Sequence, residues 1–279
     1  MLLDWKIVSQ KIYDELKQNI NCLEKKPKLW VILVWENPSS LRYISQKQKW
    51  AEYIWMDFEL IKFEENVSNQ EILEKINYLN NDNSTSWFIV QLPLPKHLDE
   101  EKILNSISPQ KDVDWFHPIN QWKIVINDFS GLTPCTPTWI MEIFKHYEIN
   151  LVWKNVVIIG RSNIVWKPIA NMLINSQATV TICNSKTKNI EFYTKNADII
   201  ITAMWVAKFL TVDKINKDAI IIDVWFSVID WKIYWDCDFE NIFSNWNTIT
   251  PVPGWVWVLT VACLLKNTLK AYNNQNLTN

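Results

Sequence analysis

Val156-Val157-Ile158-Ile159-Gly160-Arg161-Ser162-Asn163-Ile164-Val165-Trp166-Lys167-Pro168 reads as a strand, a tight turn and the start of a helix. Four consecutive β-branched residues suit a strand covered on both faces. Glycine at the turn lets the backbone approach a ligand closely, and the first N–H groups of a helix have no partner inside it. A phosphate placed there would satisfy them. With position 166 read as glycine the segment becomes G-x-S-x-x-x-G, a relative of the dinucleotide fingerprint. Strand–glycine–helix turns also occur without a ligand, so this stretch by itself leaves cofactor binding open.

Downstream, the alternation continues. A helix is expected from Pro168 to Ser176, with strands at Ala178–Ile182, Ile199–Thr202 and Ala219–Val224 and a last helix from about Val258 to Tyr272. That order predicts a doubly wound, parallel nucleotide-binding sheet. The second strand ends in Cys183-Asn184-Ser185-Lys186, without the acid that bonds an NAD ribose. Ser185, Lys186 and the nearby Arg161 suit a 2′-phosphate instead, which favours NADP. The alternative is that both cations are solvated surface charges.

Upstream lies a second α/β pattern. An amphipathic helix is expected over Lys6–Lys25 and a buried strand over Leu29–Val34. Ser39–Ile54 reads as a helix with Ser39 or Ser40 as its N-cap. Strands near Phe58–Phe63 and Phe88–Val90 flank a helix over Asn69–Leu79. The βαβαβ order again implies a parallel sheet. Ile107–Pro137, rich in Pro, Asp and Asn, reads as a domain junction.

The composition is unusual in one respect. The chain has 18 tryptophans and 3 glycines, whereas a globular sequence of this length carries roughly 20 glycines. Asp4-Trp5-Lys6, Asp230-Trp231-Lys232 and Pro253-Gly254-Trp255 put the largest side chain where turns want the smallest. A gene that uses UGA for glycine, as some bacteria do, explains this with one cause when UGA is translated as tryptophan. Real indoles at these sites should stand exposed at loops or crowd the turn near Trp166.

A net charge of −2 argues against a dedicated nucleic-acid binder. No apolar run reaches the ~18 residues of a membrane span, and Met1-Leu2-Leu3-Asp4 lacks the layout of a signal peptide. Five scattered cysteines, without a C-x-x-C pair, read as free thiols of a reducing cytoplasm. Three histidines in no ligand spacing make a metal site unexpected.

Tyr43 and Lys47, four apart, share one helix face. Gln91 falls at the carboxyl end of a strand, where open α/β sheets place ligands. Lys111-Asp112-Val113-Asp114 follows. A lysine beside a tyrosine in a cleft can move protons. On residue types alone, ordinary helix-surface packing, a loop anchor and turn-forming aspartates remain open readings.

Taken together, these segments resemble the bifunctional methylenetetrahydrofolate dehydrogenase/cyclohydrolase family, from Asp4 to about Lys270. The resemblance is carried by Asn37-Pro38-Ser39-Ser40 leading into Tyr43-x-x-x-Lys47-x-Lys49, by Val90-Gln91-Leu92-Pro93-Leu94-Pro95, and by Lys111-Asp112-Val113-Asp114-Trp115-Phe116-His117-Pro118. Pro134-Cys135-Thr136-Pro137, the turn at Gly160 and Thr250-Pro251-Val252-Pro253-Gly254 complete it. The family commonly has glycine where this chain has Trp5, Trp35, Trp55, Trp87, Trp115, Trp122, Trp139, Trp153, Trp166, Trp205, Trp225, Trp255 and Trp257.

The resemblance implies an α/β fold of two domains with a cleft between them. The N-terminal αβα catalytic domain would span residues 1–118 and be completed by the C-terminal helix, about 256–279. A Rossmann-type NADP-binding domain would span 119–255. The implied reaction oxidises 5,10-methylenetetrahydrofolate with NADP and hydrolyses the methenyl product to 10-formyltetrahydrofolate. Lys47 is carried over as the acid/base group, oriented by Tyr43, with Gln91 as its partner. Asp114 would bond the pteridine, with Pro253 and Gly254 lining the folate pocket. Gly160, Arg161, Ser162, Ser185 and Phe226 would contact the cofactor. A homodimer is implied by analogy.

Asn184 stands where the family often has His, Phe226-Ser227-Val228 replaces a segment usually ending in Asn-Arg, and Val258-Leu259 replaces Pro-Met. A shikimate dehydrogenase-like enzyme would share the architecture but not the Gln-Leu-Pro-Leu-Pro and Pro-Val-Pro-Gly segments. A non-catalytic module stacking ligands on exposed tryptophans would cluster them on one face; here they are spread over turns.

Overall fold

The computed structural model describes residues 1–82, 87–160, 165–230, 232–252 and 256–277. The chain divides into two compact units, one of Ser9–Cys135 with Thr260–Asn279 and one of Met1–Val8 with Thr136–Leu259.

The first unit is built from α1 (Trp5–Asn21), β1 (Lys28–Val34), α2 (Pro38–Tyr53), β2 (Asp57–Phe63), α3 (Asn69–Asn81), β3 (Trp87–Val90), α4 (Glu100–Asn105) and α5 (Pro118–Val125). Its three strands are parallel in the order β2-β1-β3. Central β1 is buried from Val31 to Val34, which is why its sequence is a continuous apolar run rather than an alternating one. Ile72, Ile76 and Leu79 form the buried stripe of α3 and pack with Ile32, Val34 and Phe88. A capping box starts α3: the Ser68 hydroxyl accepts from the Glu71 N–H, and the Glu71 carboxylate accepts from the Ser68 N–H.

One expectation needs correction here. Ser40 does not cap α2, because the helix already begins at Pro38, whose ring suits the first helical position and whose missing N–H costs nothing there. Leu41 N–H bonds the Asn37 carbonyl at 3.0 Å, so Asn37 holds the cap position. The Ile107–Pro137 stretch, expected as a domain junction, contains α5, started by His117 and Pro118: the His117 ring accepts from the Ile119 N–H.

The second unit carries α6 (Cys135–His146), β4 (Asn155–Ile159), α7 (Trp166–Asn175), β5 (Thr179–Cys183), α8 (Ile190–Thr194), β6 (Ile199–Thr202), β7 (Ile220–Asp223), β8 (Phe226–Ile229), β9 (Lys232–Trp235), α9 (Phe239–Ser244) and β10 (Thr248–Ile249). The last helix, α10 (Val256–Leu277), runs longer than its apolar pattern suggested. Five strands are parallel in the order β10-β7-β6-β4-β5, and β8 and β9 form an antiparallel pair. The chain leaves β4 for β5 on one side and returns to β6 on the other. The carboxyl end of β4 is therefore the topological switch point, where sheets of this kind bind ligands.

Among the described residues, six tryptophans adopt left-handed backbone: Trp35, Trp55, Trp115, Trp153, Trp205 and Trp246, with φ between 62° and 69°. That region favours glycine and strains a residue with a Cβ. Trp153 and Trp246 are 87% and 91% exposed. Others are forced inside: the indole N–H groups of Trp5, Trp30, Trp139 and Trp225 are buried without a hydrogen-bond acceptor.

Candidate active site

Helix α2 and the end of β3 bring the central pair together. Lys47 is 8% exposed, and its Nζ donates to Gln91 Oε1 at 2.8 Å. Gln91 follows the last residue of β3; its backbone N–H bonds the Ile32 carbonyl at 2.8 Å, extending the ladder and fixing where the side chain starts. Its Nε2 donates to the Leu92 carbonyl at 2.7 Å, which leaves Oε1 facing the lysine. Tyr43 lies one turn before Lys47, 39% exposed, and partial burial raises its phenol pKa.

The Asp112–Asp114 loop supplies the charge. Asp112 is buried and structural: its Oδ2 accepts from the His117 N–H at 2.7 Å and from Asn120 Nδ2 at 3.4 Å. Burial pushes its pKa up to about 6. Asp114 is half-buried, within electrostatic reach of Lys47. Burial raises the Asp114 pKa and the lysine opposes the rise. Burial likewise lowers the Lys47 pKa, against the Asp114 charge, which favours the ammonium form. Cys135 is buried and its own pKa is raised well above the usual thiol value, chiefly by desolvation, so it stays a thiol. A low-dielectric lysine held by a neutral amide, with one carboxylate opposing full neutralisation, can take up and return a proton.

In the second unit Gly160 follows β4 with φ 153°, and its N–H bonds the Cys183 carbonyl at 2.8 Å. Ser185 lies just beyond the end of β5, exposed, so Gly160 and Ser185 occupy the same edge of neighbouring strands. Phe226 opens β8, half-buried beside Trp225 and Trp235. Trp166, first residue of α7, crowds the turn: a Cβ on Gly160 would lie 2.0 Å from its indole Nε1. Arg161, Ser162, Pro253 and Gly254 lie outside the described residues.

Two residues of consequence had no part in the sequence reading. Asn267 in α10, 4% exposed, donates to the Val113 carbonyl at 3.0 Å and to the Thr133 carbonyl at 2.7 Å. The signal was Asn267-Thr268, polar residues that follow the apolar run Val261–Leu265 and Lys266 yet are buried. Asp236 accepts from the N–H groups of Met204 and Val206, where the chain leaves β6. Successive backbone N–H groups around a left-handed residue, here Trp205, make an anion-binding nest.

Residues 3–114 match the catalytic domain of tetrahydrofolate dehydrogenase/cyclohydrolase, and residues 134–276 match its NAD(P)-binding domain. The bifunctional protein FolD of Mycoplasma mycoides is 44% identical over 98% of this chain and 96% of its own. A crystal structure of the bifunctional enzyme FolD from Campylobacter jejuni superposes with a TM-score of 0.94 at 43% identity, covering 98% of this chain and 99% of its own. The Trypanosoma brucei enzyme, solved with NADP cofactor and inhibitor, gives 0.90 at 29% identity and covers 98% of this chain and 97% of its own. The chain therefore belongs to the tetrahydrofolate dehydrogenase/cyclohydrolase family, a bifunctional enzyme family with an NAD(P)-binding domain.

Proposed function

We propose that Lys47, Gln91, Tyr43 and Asp114 are the working groups of this chain's oxidation of 5,10-methylenetetrahydrofolate and hydrolysis of the methenyl product to 10-formyltetrahydrofolate. The Lys47–Gln91 hydrogen bond of 2.8 Å carries the reading. In the hydrolytic step a water adding to the methenyl carbon must lose a proton. Neutral Lys47 accepts it at Nζ, and Gln91 Oε1 holds the amine in line. Burial prepares the lysine for this, because it disfavours the ammonium form. Asp114 bonds the pteridine and Tyr43 orients the lysine; Pro253 and Gly254, outside the described residues, are carried over from the family pattern as folate contacts. When bound, NADP supplies the hydride acceptor, so oxidation asks chiefly for juxtaposition.

Gly160, Arg161, Ser162 and Ser185 would hold NADP, with Phe226 as a backbone contact. The turn fits a phosphate only if position 166 is small, since the indole fills the space over Gly160. We therefore read the 18 tryptophans as glycines encoded by UGA. Six left-handed tryptophans and four buried, unpartnered indole N–H groups support that reading. We further take the chain to be a homodimer that works in the cytoplasm without nucleic acid or membrane. Its five cysteines form no disulfide among the described residues, which agrees with a reducing compartment.

The test is Lys47→Met in a chain made with glycine at the 18 positions. Hydrolysis should be lost before all dehydrogenase activity is; a variant that hydrolyses as fast as the parent contradicts the role of Lys47.

A further inference from the structure

We propose that Asn267 is a positioning residue for the folate-side chemistry, holding the peptide that leads into Asp114 and, through it, the balance of charge around Lys47. This rests on the site reading above.

The geometry is specific. Asn267 stands on α10, in a run of buried apolar residues that includes Cys263, Leu264, Leu265 and Leu269. One amide meets two carbonyls: Nδ2 donates to Val113 at 3.0 Å and to Thr133 at 2.7 Å. The Val113 carbonyl belongs to the peptide plane joined to Asp114. The Thr133 carbonyl belongs to the peptide before Pro134, two residues ahead of Cys135. On the acceptor side, Asn267 Oδ1 takes the Thr133 hydroxyl at 3.4 Å and its N–H at 3.5 Å. The Cys135 thiol also reaches the Val113 carbonyl, at 3.9 Å. One buried amide thus clamps two of the three segments that present groups to Lys47.

An amide does here what no other side chain of that size does. It offers two N–H donors for two carbonyls and an acceptor for a hydroxyl, so nothing is left unpaired. Leucine would fill the volume but orphan the Thr133 carbonyl and leave the Val113 carbonyl only the weak Cys135 thiol; aspartate would face them with negative charge. The C-terminal helix, remote in sequence, then contributes to the site by fixing backbone rather than by touching substrate.

The groups facing Lys47 are Gln91 from the end of β3, Asp114 from the loop before α5 and Cys135 from the first residue of α6. Of these, Asp114 most strongly favours the ammonium form. If the Val113–Asp114 peptide shifts, that support weakens and Lys47 titrates lower.

The experiment measures Asn267→Leu, Thr133→Val and Asp114→Asn, and the Asn267→Leu/Asp114→Asn double variant, in the full chain with glycine at the 18 positions. Lys47→Met is the reference. Asn267→Leu should raise KM for methylenetetrahydrofolate between about twofold and tenfold, the range expected for one lost hydrogen bond. It should also move the Lys47 limb of the hydrolysis pH profile to lower pH. Thr133→Val, which loosens the clamp without orphaning a carbonyl, should do the same to a smaller degree, and it serves if Asn267→Leu fails to fold. In the Asp114→Asn background Asn267→Leu should change KM by less than about twofold, because both act on one element. A purely structural Asn267 would lower Tm yet leave KM and the pH limb unmoved, and its effects would multiply with those of Asp114→Asn. That pattern overturns the proposal. Should Asp114→Asn leave KM unchanged, or Lys47→Met hydrolyse normally, it is the site reading that fails.

Discussion

Position 153 isolates the backbone question well. Its φ is 67° and its side chain is 87% exposed, so an indole there gains little packing to offset the left-handed conformation. A residue with a Cβ costs roughly 1–2 kcal/mol in that region, of which glycine recovers most, less its larger loss of freedom on folding. Two chains should be compared, with Gly or Trp at 153 and glycine at the other 17 positions. The glycine form should be more stable by about 1 kcal/mol, read as a higher urea midpoint at unchanged slope. Six such positions together would cost about 6 kcal/mol, a large part of the roughly 5–15 kcal/mol that holds a domain. At Trp139, 2% exposed with its indole N–H unpartnered, placing Trp in the glycine background should cost more, through overpacking and an orphaned donor. Equal stability of the two forms at 153, or a more stable Trp form, would refute the reasoning.

Further predictions concern single groups. Burial, aided by the Asp236 charge, pushes the Asp223 pKa up to about 7. The native state then keeps a proton that the unfolded chain releases near pH 4. This stabilisation is full below about pH 4 and gone above about pH 7, so Asp223→Asn should flatten the fall in urea midpoint over that window and gain a few kcal/mol at pH 8. The Lys111 ammonium donates to the Leu79 and Asp82 carbonyls at 2.7 and 2.8 Å. Lys111→Met should cost about 2–3 kcal/mol in urea unfolding, because both carbonyls lose a charged donor. Restoring Trp at 166 alone in the glycine background should weaken NADP binding at least tenfold by titration calorimetry, since its indole crowds the Gly160 turn; unchanged affinity would show that the phosphate lies elsewhere.

The strands that carry the site were legible because burial on both faces writes itself as apolar runs. Val31–Val34, Phe88–Val90 and Ile199–Thr202 are examples. The short helices were not. α4 and α5 are set by single side-chain caps, Asp99 accepting from Lys102 N–H and His117 from Ile119 N–H, and are too short to show a period. The β8–β9 hairpin was half legible. Asp230-Trp231 reads as a turn once Trp stands for glycine, since Asp-Gly is a strong hairpin signal, but the flanking strands are only four residues each and show no clear alternation. Tyr43 and Lys47 could be paired by helix spacing. The meeting of Lys47 with Gln91, 44 residues apart, needed either a fold or a family. Asn267 and Asp236 act by fixing backbone, a role that leaves no spacing rule in the sequence.

The most direct measurement is a dehydrogenase assay on two purified proteins, one with glycine and one with tryptophan at all 18 positions. The glycine protein should oxidise methylenetetrahydrofolate with NADP and show the rise in absorbance of the products, while the tryptophan protein stays silent. No rise from the glycine protein with NADP or NAD, or equal rates from both, would contradict the enzyme described here.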